Sequence, residues 1–133
     1  YLDTNLIEEP IDLISIDVSF ISVKHMLPVA ASILADNGVI LCLIKPQFEA
    51  GREQVGKKGI VKDKKVHVEV INKVIAYGEN NGLKAAGLTF SPVKGTKGNI
   101  EYLCCFRKSG SGEIDFEINP EETVRISHES LDE

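Results

Sequence analysis

Lys45 follows six apolar residues, Val39 to Ile44, and stands directly before Pro46. A run of that composition reads as a strand buried on both faces, where an amine has no room, so the ammonium must sit where the strand leaves the sheet. Pro46 removes a backbone donor and ends the ladder at the same point. Two carboxylates qualify as its neighbours, Asp17 and Glu101, although both are distant in sequence. An amine flanked by two acids suits proton removal from a poor acid, the lysine serving as base and the carboxylates orienting it. The same trio also suits a plain structural ion pair.

The elements around these residues decide whether they can meet. Ile11 to Val18 alternates apolar with polar and is rich in isoleucine, which predicts a strand ending near Asp17. Ser19 to Ser22 turns the chain, with Ser22 as an N-cap. Val23, Met26, Leu27, Ala30, Ile33 and Leu34 then recur at helical spacing, with Pro28 predicting a kink or a later start. Asp36-Asn37-Gly38 reads as a helix stop and turn. A second helix is predicted over Val66 to Tyr77, ended by Asn80-Asn81-Gly82, then strands over Leu83 to Phe90 and Ile100 to Phe106. Crossover helices make the first three strands parallel, which brings Asp17 and Lys45 to the carboxyl edge where open α/β sheets bind ligands. The loop Ser91 to Asn99 is too short for a comfortable crossover, so the fourth strand returns antiparallel. Its beginning, at Glu101, then lies at that same edge.

Residues 46 to 65 show no usable period and hold six basic residues, Arg52, Lys57, Lys58, Lys62, Lys64 and Lys65. They read as a solvated cluster or as phosphate contacts. Gly51 to Lys58 has the glycine spacing of a phosphate-binding P-loop, but Lys58 occupies the position that must ligate magnesium, so nucleotide hydrolysis is set aside. No Cys/His set has metal spacing. His25, His67 and His128 fall on predicted helices and read as surface or boundary residues. The three cysteines suggest buried fillers in a reducing cytoplasm. Residues 1 to 108 hold 14 Lys and Arg against 12 acids, whereas residues 109 to 133 hold one Arg against eight. The body is mildly basic, which leaves nucleic acid open as a partner. The acidic tail is expected to carry a short, weakly docked helix from Pro120. No apolar run approaches the roughly 18 residues of a membrane helix.

Asp17 to Ser22 (DVSFIS), Leu43 to Val61 (LIKPQFEAGREQVGKKGIV), Ser91-Pro92 with Lys94-Gly95, and Gly98 to Leu103 (GNIEYL) resemble the TlyA family, often labelled haemolysin, within the FtsJ-like ribosomal RNA methyltransferases. The resemblance runs from about residue 11 to 108. It implies the carboxyl-terminal part of a Rossmann-like α/β fold, a mostly parallel sheet with one antiparallel strand and flanking helices, and transfer of a methyl group from S-adenosylmethionine to ribose 2′-hydroxyls. Of that superfamily's Lys-Asp-Lys-Glu tetrad, the aspartate corresponds to Asp17, the second lysine to Lys45 and the glutamate to Glu101. Cofactor contacts fall on Asp17, Ser19 and Phe20. RNA phosphates would meet Arg52, Lys57, Lys58, Lys62, Lys64, Lys65, Lys94 and Lys97. The tetrad's first lysine and the glycine-rich cofactor loop are expected upstream of Tyr1, so this piece alone is expected to bind S-adenosylmethionine weakly or not at all, to be inactive by itself, and to self-associate through the exposed edge of its first strand. Ribosomal RNA or a ribosomal subunit in the cytoplasm is the implied partner, with no membrane. The alternatives are a membrane-acting haemolysin and a non-catalytic RNA-binding fragment.

Overall fold

The isoleucine-rich segment Ile11–Ile16 forms strand β1 at one edge of a four-stranded sheet of order β1-β2-β4-β3. The computed structural model describes residues 9–56, 58–110 and 118–131. β2 (Leu34–Ile44) runs parallel to β1, with Ile16 opposite Cys42. β4 (Tyr102–Lys108) lies between β2 and β3 (Leu83–Phe90) and is antiparallel to both. Three strands therefore point one way and the inserted β4 points the other, the mostly parallel sheet expected. Because Ile44 pairs with Tyr102, Lys45 and Glu101 are the next rung beyond the last one formed.

Two details depart from the sequence reading and others bear it out. Asp36-Asn37-Gly38 is no turn before β2 but a bulge inside it, since Ile11 pairs with Leu34 while Leu13 already pairs with Val39. A Cβ on Gly38 would stand 2.6 Å from Leu34 Cδ1 and 3.0 Å from the Ile11 carbonyl, so only glycine lets the bulge press on β1. The first predicted helix has the later start that Pro28 implies: a 3-10 turn, Val23–His25, precedes helix α1, Leu27–Ile33, with Pro28 in its first turn, where a missing N–H is tolerated. The stretch after Lys45 is not without regular structure: it holds a single-turn helix α2, Pro46–Glu49, and a 3-10 turn, Arg52–Gln54. Helix α3 (Lys64–Glu79) then begins at the Asp63 cap, whose side chain accepts the Lys65 N–H at 2.9 Å.

α3 buries Val66, Val70, Ile71 and Val74 against β3 and β4. Gly78 allows that approach, because a Cβ there would meet the Phe106 ring. The tail helix α4 (Pro120–Leu131) is more firmly seated than its thin apolar stripe suggests. It packs on α3 and β3 and buries Val124, Ser127 and His128. His67 and His128 are thus interior residues rather than surface ones. His67 shares a hydrogen bond through Nδ1 with Tyr102 Oη at 2.8 Å and donates from Nε2 to the Val61 carbonyl at 2.8 Å. Tyr102 Oη reaches Ser127 Oγ at 2.9 Å, and the two imidazoles meet at a tilt with centroids 4.7 Å apart. Hydrophobic periodicity does not register a polar network of this kind. Cys42 and Cys104 face each other across β2 and β4, fully buried, and burial pushes the Cys42 thiol up to about 12, so it is a filler and no nucleophile.

Candidate active site

The end of β1 and the end of β2 deliver their polar residues to one rim. Lys45 Nζ lies 2.5 Å from Asp17 Oδ1 and donates to Ser19 Oγ at 3.1 Å. The lysine side chain is only 12% exposed while the aspartate is 66% exposed, so the amine is held from beneath and the carboxylate opens outward. Two of the three ammonium hydrogens have acceptors among the described residues, which leaves one direction for an incoming oxygen. Glu101 is nearly buried on the same rim, one rung across from Lys45. Among the described residues no ion pair joins it to Lys45; its carboxylate lies instead against Gly95 in the loop after β3, where any Cβ would collide with it.

Phe20 follows Ser19 with φ of 69°, a left-handed conformation that costs a non-glycine residue about 1–3 kcal/mol. Its ring is 87% exposed and rests 5.1 Å from that of Phe48. In the same segment both amide atoms of Gln47 are buried without a hydrogen-bond partner among the described residues.

The lysines predicted for phosphate divide into two groups. Lys58, Lys62, Lys94 and Lys97 are exposed on two loops that touch, since a Cβ on Gly59 would stand 3.2 Å from Lys97 Nζ. A hollow of about 450 Å³ opens between Lys62, Lys94, Lys97 and His128. Arg52, Lys64 and Lys65 are exposed on the 3-10 turn and the first turn of α3, and the structure does not place them in that hollow. Lys57 lies outside the described residues.

Sequence reading passed over two residues. Asn99 is buried and joins the lysine loop to the start of β4: its Oδ1 accepts the Val61 N–H at 3.0 Å and its Nδ2 donates to the Gly59 carbonyl at 2.9 Å. Glu49 is 4% exposed and accepts Ser22 Oγ–H at 2.6 Å and the Val23 N–H at 2.9 Å. Burial lifts its carboxyl above the ordinary 4.5, against the pull of those two bonds and of Lys73 and His25. Its signal in the sequence is an acid on the otherwise apolar inner side of α2, visible only once α2 is known to be a helix. Among the described residues no cluster of three metal-ligating side chains occurs, and no helix is long and apolar enough to cross a membrane.

A sheet of parallel strands with one antiparallel insert and a charged carboxyl rim defines an α/β protein of the methyltransferase type. The chain belongs to the FtsJ-like methyltransferase family, whose pattern matches residues 1–108, and within it to the TlyA, or hemolysin A, branch. YqxC of Bacillus subtilis, whose name assigns it rRNA methyltransferase activity, is 46% identical over 116 residues, which is 87% of this chain and 41% of that protein. The 16S/23S rRNA (cytidine-2′-O)-methyltransferase TlyA of Mycobacterium tuberculosis is 35% identical over 97 residues, covering 73% of this chain and 36% of its own. The solved structure of a Streptococcus thermophilus protein described as a hemolysin superposes with a TM-score of 0.86 at 41% identity, over 97% of this chain and 46% of its own. The chain therefore spans less than half the length of each of these relatives.

Proposed function

We propose that this chain supplies the proton-handling rim of an S-adenosylmethionine-dependent methyltransferase acting on a ribose 2′-hydroxyl of ribosomal RNA. The observation that carries this reading is Lys45, an amine enclosed by the sheet, aimed by Asp17 and Ser19, with one hydrogen-bonding direction left toward the rim. An oxygen placed there is oriented by Lys45; the ammonium passes one proton to the Asp17 carboxylate, and the amine so formed takes the hydroxyl proton at Nζ as the oxygen becomes a nucleophile. Glu101 stands one rung away on the same rim, with its carboxylate against Gly95 rather than on the amine.

S-adenosylmethionine, when bound, supplies an electrophilic methyl carbon. The residues present fit one wall of its site: Asp17 offers an outward carboxylate and Phe20 an exposed aromatic face, at the end of a strand whose outer edge has no partner among the described residues. Ser19 fixes the turn between them through Lys45. The exposed lysines at 58, 62, 94 and 97 suit RNA phosphates, which position a substrate without reading its sequence. The names of the relatives support ribosomal RNA as that substrate, and on this reading the two meet in the cytoplasm.

The test uses the complete gene product, ribosomal subunits and labelled S-adenosylmethionine. Wild type should transfer label to a nucleotide that then resists alkaline cleavage, the mark of a 2′-O-methyl group. Lys45→Ala should lose this by at least roughly a hundredfold while still binding RNA. Methylation of a base, or full activity in Lys45→Ala, overturns the reading; RNA binding without any methyl transfer by wild type leaves a binding protein.

A further inference from the structure

The segment 45–49 and the loop 17–23 are fastened to each other twice. At one end Lys45 holds Asp17 and Ser19; at the other Glu49 takes one hydrogen bond from Ser22 Oγ and one from the Val23 backbone. Between the fastenings stands Phe20, in a left-handed conformation that persists only where the surroundings fix it. Behind Glu49, Lys73 of α3 donates to its backbone carbonyl at 2.7 Å, so the clamp is anchored to the largest helix. Ser22 Oγ in turn accepts the Lys24 N–H at 3.0 Å, which makes the carboxylate the cap behind a cap for the 3-10 turn. A carboxylate in so buried a position, with raised proton affinity, is an expensive choice if all that is needed is a filled space.

We propose that Glu49 is a positioning residue for methyl transfer: it sets the loop bearing Asp17, Ser19 and Phe20 at the distance from Lys45 at which the amine is aimed. This rests on the methyltransferase reading above. Glu49 touches neither substrate nor cofactor and acts through Ser22 and Val23.

Two variants of the complete gene product separate positioning from bulk stability. Glu49→Met keeps the volume and removes both acceptors. Glu49→Gln can retain both bonds, its amide oxygen taking the Val23 N–H and its amide nitrogen donating to Ser22 Oγ. Per folded molecule, Glu49→Met should lower kcat roughly ten- to hundredfold with KM for RNA within about twofold, and Glu49→Gln should restore kcat to within about threefold of wild type. The result that overturns the proposal is a Met variant whose kcat per folded molecule matches wild type, or a Gln variant no better than Met. Should Glu49→Met not fold, Ser22→Ala replaces it, and unchanged kcat there is equally fatal. Amide spectra give an arm independent of catalysis. Glu49→Met should deprotect the Val23 amide and shift the signals of residues 17 to 20, and unmoved signals overturn the clamp. Wild type without methyl transfer would instead defeat the functional reading and leave this arm to decide the clamp alone.

Discussion

The buried Glu49 carboxyl gives the protein a legible pH response. Burial raises the Glu49 carboxyl above 4.5, its ordinary value, so the folded chain holds that proton more tightly than the unfolded chain does. Its contribution to stability is then full below pH 4.5 and is lost as the pH climbs through the raised value. Glu49→Gln cannot titrate. Urea unfolding from about pH 4 to pH 8 should therefore show the variant gaining on wild type as the pH rises above 4.5 and levelling once it has passed the raised value. Two parallel stability curves would contradict the assignment. The Lys45–Asp17 pair needs a different view, because Asp17 is largely exposed and solvent screens it; its worth lies in aiming an amine rather than in holding the fold.

At the scale of elements, one side chain ties the lysine loop to the start of β4. Asn99 satisfies the Val61 N–H and the Gly59 carbonyl, and it does so from the residue two before Glu101, so the loop and the rim share an anchor. Asn99→Leu should leave the buried Val61 donor unmet, at about 1–3 kcal/mol, and free the loop locally. Trypsin should then cut after Lys58 and Lys62 much faster than in wild type, with the strands still protected. An unchanged digestion pattern would show that the loop is held by its own turns, such as Gly56 N–H to Ile60 O at 3.0 Å.

The whole molecule closes around Tyr102. Its hydroxyl joins His67 of α3 to Ser127 of α4, so one group on a central strand fastens the acidic tail helix to the basic body. Tyr102→Phe should cost about 1–3 kcal/mol by leaving two buried polar partners short. It should also raise amide exchange across Val124–Leu131 ahead of the sheet, and equal protection in both proteins would mean that Val124 packing alone seats the helix. Seating α4 matters to the surface, because His128 helps line the hollow that Lys62, Lys94 and Lys97 share.

The sequence by itself determined which residues lie at the rim. Strand and helix periods, a loop too short to cross over and a proline after Lys45 were enough to align Asp17, Lys45 and Glu101, because strand direction follows from connection length. It also determined the family, through segments whose residues are unusual together. Only the tertiary structure decided how those residues are held. That Lys45 meets Asp17 and Ser19, that Glu49 and Asn99 are clamps, and that His67 is interior all depend on pairs more than 15 residues apart. Periodicity reports the apolar face of each element separately, and hydrogen bonds between buried polar groups are chosen only when those faces come together.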